Sequence, residues 1–193
     1  GIIGPNGVGK TTMLRVMAKI LAPTRGKVII QPRRTAALLT LGLGFQLDLS
    51  GRDNALLSAM LQGSSKRQAS SFLEQIKVFS ELGDSFEEPV KTYSAGMKAR
   101  LGFSTALMAH VDILLVDEVL AVGDAQFKAK AEAAMKERMD GDQTVVLVSH
   151  NLCNRAIWIE GGRIASEGET GLVLQDYEAH IRAISNKKAG SNK

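Results

Sequence analysis

The segment Gly4-Pro5-Asn6-Gly7-Val8-Gly9-Lys10-Thr11-Thr12 holds the residue types best suited to chemistry in this 193-residue chain. It fits G-x-x-x-x-G-K-[ST] at every fixed position, behind an apolar strand end and ahead of a helical pattern. Glycines let backbone N–H groups turn inward around phosphate oxygens, and the following helix adds its positive end. Lys10 is placed to reach β- and γ-phosphates, and the Thr11 hydroxyl to ligate Mg²⁺. The expected ligand is a nucleoside triphosphate.

A second constellation is Asp112-Ile113-Leu114-Leu115-Val116-Asp117-Glu118. Its apolar run is short and wholly hydrophobic, as in a parallel strand covered on both faces. Such a strand delivers Asp117 to the carboxyl edge of a sheet, where it would complete the Mg²⁺ shell. Glu118, one residue farther, would polarise an attacking water. An acidic pair after a strand also serves as a helix cap, but with a phosphate loop in the same chain the catalytic reading is favoured.

The elements that must position these residues alternate in the α/β manner. The pattern predicts helices over Thr11 to Leu21, Arg52 to Leu82, Ser94 to about Ala109, Ala125 to Arg138 and Glu169 to Ile184. It predicts strands at Lys27 to Ile30, Ala36 to Leu41, Ile113 to Val116, Thr144 to Val148, Ala156 to Glu160 and Arg163 to Ser166. The last two flank Gly161-Gly162, a hairpin signal.

Composition narrows the function classes. Hydrophobic residues are 45% and charged residues 23%, which excludes wholesale disorder. Cys153 is the only cysteine, so neither a disulfide framework nor a four-cysteine zinc site is available. The net charge of +4 is scattered and aromatics are 5%, which argues against a nucleic-acid surface. No apolar run approaches the roughly 20 residues of a membrane span, and no signal peptide opens the chain. A cytoplasmic protein is expected, with any membrane contact made through a partner. Because Gly1-Ile2-Ile3 runs straight into the phosphate loop without an initiator Met, an N-terminal portion is expected to be missing.

Further motifs carry a resemblance. Tyr93-Ser94-Ala95-Gly96-Met97, ahead of a helix, resembles the signature motif of ATP-binding cassette (ABC) ATPases, whose common form is Leu-Ser-Gly-Gly-Gln; Ser94 and Gly96 stand, while Ala95 and Met97 depart. His150, after the strand Thr144 to Val148, looks like the family's switch histidine. Gln46 looks like its Q-loop glutamine and Asp124 like its D-loop aspartate. The stretches Gly44 to Asn54, Lys91 to Phe103 and Asp117 to Lys130 resemble the subgroup that exports capsule, O-antigen and teichoic-acid chains. Within them, the stretch Asp117 to Asp124 is the most specific, since most relatives carry proline after the glutamate.

The resemblance implies an α/β P-loop NTPase: one ABC ATPase domain over 1–193, with a RecA-like parallel core (1–43 and 110–193) and an inserted helical subdomain with Q-loop and signature (44–109). The N-terminal β-subdomain, which carries an adenine-stacking aromatic, is expected to be largely missing. The resemblance further implies ATP and Mg²⁺ as ligands, with Thr11, Gln46 and Asp117 at the metal and Glu118 and His150 catalytic. It implies a homodimer that sandwiches ATP, Ser94 and Gly96 completing the partner's site, and a polytopic permease at the cytoplasmic face of a bacterial membrane. The Leu47 to Asn54 loop would contact that permease, with Asp48 and Arg52 as coupling residues. A DNA-repair or translation-factor ATPase is the alternative. The first needs a long coiled coil for which the interval from Lys10 to Ser94 is too short, and the second carries two cassettes.

One connection looks too short. Five residues, Asn151 to Arg155, separate His150 from the next strand, and fully extended they span at most about 18 Å. A parallel crossover needs more. Either an antiparallel hairpin forms there, or residues of the natural protein are absent; absence is the expectation.

Overall fold

The computed structural model describes residues 1–32, 34–108, 111–117, 123–141, 143–148 and 153–190. The strands form two three-stranded sheets. In one, β2 (Ala36–Leu39), β3 (Ile113–Asp117) and β4 (Thr144–Val148) run parallel in that order. In the other, β1 (Ile2–Ile3) pairs parallel with β5 (Arg155–Glu160), which pairs antiparallel with β6 (Arg163–Glu169). β1 also lies near β4, which brings the two sheets together.

The period-2 alternation of β3 explains why its sequence is apolar throughout. Leu114 and Val116 face a cluster with Phe103, Phe127, Met135 and Leu147. Ile113 and Leu115 face the opposite cluster, with Ile2, Leu14, Val148 and Ile159. The first face is covered by α5 (Ala95–Met108) and α6 (Ala125–Met139), the second by α1 (Lys10–Met17). Each fully buried side chain of this size contributes roughly 1.5–3 kcal/mol of transfer free energy. The closing helix α7 (Thr170–Gly190) seats Val173 on Trp158 and Ala156 of β5.

Between β2 and β3 the chain builds a helical block of α2 (Gly51–Leu61), α3 (Lys66–Ser71), α4 (Leu73–Ser80) and the start of α5, around Ala55, Ile76, Phe86, Val90 and Leu101. The expected single helical stretch from Arg52 to Leu82 is thus three helices. Gly63, at φ 105°, ends the first turn of the break, and a Ser65/Gln68 capping box starts α3.

Other expectations change as well. α1 stops at Met17 rather than Leu21. Lys19 turns left-handed at φ 59°, and the N–H groups of Ile20 and Lys19 return to the carbonyls of Arg15 and Val16, closing the helix before Pro23. Lys27 to Ile30 forms no strand: among the described residues no strand pairs with it, and Ile29 is 78% exposed. β4 and β5 make no hairpin, because β5 takes β1 and β6 as its neighbours. Of the link Asn151 to Arg155, the residues Asn151 and Leu152 lie outside the described residues.

Candidate nucleotide site

β1 ends in the phosphate loop, and the loop's first glycine is required by a close approach. A Cβ on Gly4 would come within 2.5 Å of the Ile159 carbonyl oxygen on β5. Pro5, Asn6, Gly7 and Val8 make the turn. Gly9, at φ 102° and ψ 16°, then starts α1 from a left-handed conformation with no side-chain cap. The first intrahelical bond is Met13 N–H to the Gly9 carbonyl at 2.9 Å. The N–H groups of Lys10, Thr11 and Thr12 are therefore first-turn donors without a partner in the helix. That is the arrangement an anion needs.

Lys10 arches back across its own loop. Its Nζ donates to the Gly4 carbonyl at 2.8 Å and the Pro5 carbonyl at 3.1 Å. An ammonium has three donors, so one remains for a phosphate oxygen. Val8 and Leu14 pack on the cluster that also holds Leu115 and Val148, which seats the loop over the carboxyl ends of β3 and β4.

Asp117 closes β3, half-buried, in direct register with Val148. Among the described residues no group of three His, Cys, Asp or Glu side chains is built to hold a metal. Asp117 and the Thr11 hydroxyl nevertheless suit Mg²⁺, which takes one or two protein oxygens and completes its shell with water and phosphate. Glu118 and His150 lie outside the described residues, as do Val119 to Val122.

Gln46 is exposed, but its backbone is clamped. Asn54, fully buried, accepts from Gln46 N–H at 2.6 Å and donates from Nδ2 to the carbonyls of Gln46, Leu49 and Ser50 at 2.9 to 3.1 Å. Ser50 caps α2 through Asp53 N–H. The loop's far side is tied to the segment before the signature by Lys91 N–H to Leu47 and Val90 N–H to Leu49. Sequence reasoning passed over Asn54 as an organiser. Its one signal is an amide in the α2 stripe that otherwise buries Ala55, Ser58 and Ala59.

Arg52, expected as a coupling residue, forms exposed ion pairs across the helical block. Its guanidinium binds Glu87 at 2.8 and 2.9 Å and Glu74 at 2.7 Å, and lies 5.2 Å over the Phe86 ring. Arg52 holds the Glu87 carboxyl down to about 2. Burial, helped by Glu87 and Glu88, pushes the Tyr93 hydroxyl up to about 12 while it donates to the Ser85 carbonyl. Asp48 stays 87% exposed beside Lys91.

Ser94 caps α5, its Oγ accepting from Met97 N–H at 3.2 Å. With Gly96, Arg100, Glu81, Gly123 and Asp124 it lines a concavity of about 700 Å³. None of the phosphate-loop residues lines it. Asp124 caps α6 by accepting from Phe127 N–H at 2.9 Å and pairs with Arg100. These partners, Phe127 N–H foremost, hold its carboxyl below the usual range. A separate cavity of about 440 Å³, lined by Gly1, Met13, Met17 and Cys153, has no phosphate-binding element.

Comparison with known proteins adds to this geometry. Residues 1–121 match the ABC transporter family. The chain is 42% identical to the O-antigen export system ATP-binding protein RfbB of Myxococcus xanthus, over 98% of this chain and 44% of that protein. Against the RfbB of Klebsiella pneumoniae it is 40% identical, over 92% of this chain and 74% of the relative. The teichoic acids export ATP-binding protein TagH of Lactococcus lactis is 38% identical over 94% of this chain and 40% of its own length. The chain thus spans under half of two of these three relatives. Among solved structures, an ATP-binding subunit of an ABC transporter superposes with TM-score 0.75 at 20% identity, over 92% of this chain and 80% of that one. A dimeric ATP-binding cassette in a post-hydrolysis state, bound to ADP and phosphate, gives 0.70 at 22%, over 88% and 84%. At that identity the likeness speaks for the fold. Motif, geometry and relatives agree: the chain belongs to the ABC transporter family.

Proposed function

We propose that this protein is the ATP-binding and hydrolysing subunit of an exporter that moves a surface polysaccharide through a partner permease. One observation carries the nucleotide reading. Lys10 is folded over the Gly4 and Pro5 carbonyls beside the uncapped start of α1, with Asp117 at the adjoining strand end. The polysaccharide class is supported by the relatives, which are named for O-antigen and teichoic acid export.

In this reading Gly4 to Thr12 cradle the phosphates, and Thr11, Asp117 and Gln46 would hold Mg²⁺, which would supply positive charge against the phosphates. Glu118 takes the proton of the attacking water, and His150 contacts the γ-phosphate. The chain is a single cassette, with 1–43 and 110–193 as its core and 44–109 as the helical subdomain. Two copies close head to tail, so that Ser94 and Gly96 reach the partner's nucleotide and Asp124 lines the shared seam.

Among the described residues no helix is long and apolar enough to cross a membrane. In this reading membrane contact is made through the permease, at the cytoplasmic face. Leu47, Leu57, Met60 and Leu61, exposed by 37 to 62%, give the Q-loop and α2 an apolar face for it.

The test is genetic. Lys10→Ala in the natural gene should abolish the surface polysaccharide and leave the polymer inside the cell. Normal surface polysaccharide in that strain would refute the reading.

A further inference from the structure

α4 ends in a way its own sequence disfavours. Glu81 follows Ser80 in the left-handed conformation, at φ 57° and ψ 31°, where glycine is the usual residue. Its carboxylate also sits at the negative end of the helix, where a cation is the favoured charge. Local rules broken twice at one residue call for a compensating contact.

That contact spans three helices. One Glu81 carboxylate oxygen accepts from Arg100 on α5 at 3.1 Å, and the other from Lys130 on α6 at 2.8 Å. Lys130 also donates to the Phe79 carbonyl at 2.9 Å, which brings a cation to the end of α4 after all. Arg100 turns its other nitrogen to Asp124, the cap of α6. Beneath these groups Phe79, Phe103 and Phe127 stack or meet edge-on at 5.9 to 6.3 Å. Arg100 lies 5.1 Å over Phe127 and Lys130 4.7 Å over Phe79.

Exposed ion pairs add little stability singly. A network that shares one carboxylate and lies on three packed rings instead restricts orientation. We propose that Glu81 is a positioning residue: its carboxylate sets the angle of the signature helix α5 against α6, and with it the place of Asp124, without touching nucleotide. Only the kinetic consequence rests on the ATPase reading above.

The test uses the full chain with Cys153→Ser and spin labels at Lys98→Cys on α5, half-buried, and Lys136→Cys on the outer side of α6. Double electron–electron resonance should give one narrow distance peak. Glu81→Gln should broaden or shift it, Lys130→Gln should do the same, and the double variant should go no further. Salt near 1 M should reproduce the broadening in the unsubstituted network, which needs no variant to fold. In turnover, Glu81→Gln should lower kcat about tenfold or more while the KM for ATP stays within about twofold, and Glu81→Asp should recover part of the rate. An unchanged distance distribution in Glu81→Gln overturns the proposal. So do additive shifts from Glu81 and Lys130, or equal losses in kcat and in ATP affinity. If the parent protein hydrolyses no ATP, the ATPase reading fails, and the distances still decide the role of Glu81.

Discussion

Asp117 and Val148 face each other at the ends of two paired parallel strands. Glu118 and His150 follow them by one and two residues. The register therefore brings the last described residues of β3 and β4 to one edge, the edge over which the phosphate loop is seated by Val8 and Leu14.

Lys10 is expected to matter for affinity beyond its charge. Lys10→Ala removes a charge-assisted phosphate bond of about 1.5–3 kcal/mol, or roughly 10- to 100-fold in Kd. It also frees the Gly4 and Pro5 carbonyls. Isothermal titration with a non-hydrolysable ATP analogue checks this, and parental affinity in the variant would contradict the assignment.

Asn54 should act on the Q-loop through structure. Asn54→Ala strips partners from the backbone of Gln46, Leu49 and Ser50 at a fully buried position. The expected loss is about 1–3 kcal/mol in urea unfolding. Amide exchange at Gln46 should quicken in the same variant. Unaltered stability together with unaltered exchange would remove Asn54 from the account.

How much of this was legible beforehand varies with what each element depends on. β4 runs from Thr144 to Val148 as its apolar run implies, because a strand covered on both faces writes itself as unbroken hydrophobicity. Ser94 was legible as a cap, since capping is local. Lys27 to Ile30 has strand composition yet forms none, because a strand is made by its neighbour. The ion pairs of Arg52 were not legible, because its partners Glu74 and Glu87 stand 22 and 35 residues away and no local pattern points to them. Glu81 was invisible for the same reason. The phosphate loop, Asp117, Ser94 and Asp124 fall where the motifs put them along the fold, while Glu118 and His150 lie outside the described residues.

Acid should unfasten the start of the central strands. Asp112 accepts from Thr35 N–H at 2.8 Å, from Arg34 at 2.7 Å and from the Thr35 hydroxyl at 3.0 Å, which holds its carboxyl down at about 2. Because the folded value is depressed, this stabilisation is complete above the ordinary value of 3.8 and is lost as pH falls toward 2. The Tm gap between parent and Asp112→Asn should be open at pH 6 and closed near pH 2. A gap that is constant across that range would contradict the linkage.

Closure should be visible as mass. Glu118→Gln with ATP should run at twice the mass of the same protein with ADP in light scattering, since ATP is proposed to bridge the Ser94 face of one copy and the phosphate loop of the other. Ser94→Arg should keep the mass single in both nucleotides. A single mass for Glu118→Gln at saturating ATP would count against the sandwich.

The central claim is that this cassette hydrolyses ATP at the edge where β3 and β4 end. Release of inorganic phosphate from Mg²⁺-ATP, measured for the protein beside its Glu118→Gln variant, addresses that most directly. The account predicts steady turnover in the parent and a rate lower by about 10² or more in the variant, at unchanged ATP affinity. Equal rates in the two proteins, or none in the parent at saturating ATP and Mg²⁺, would contradict it.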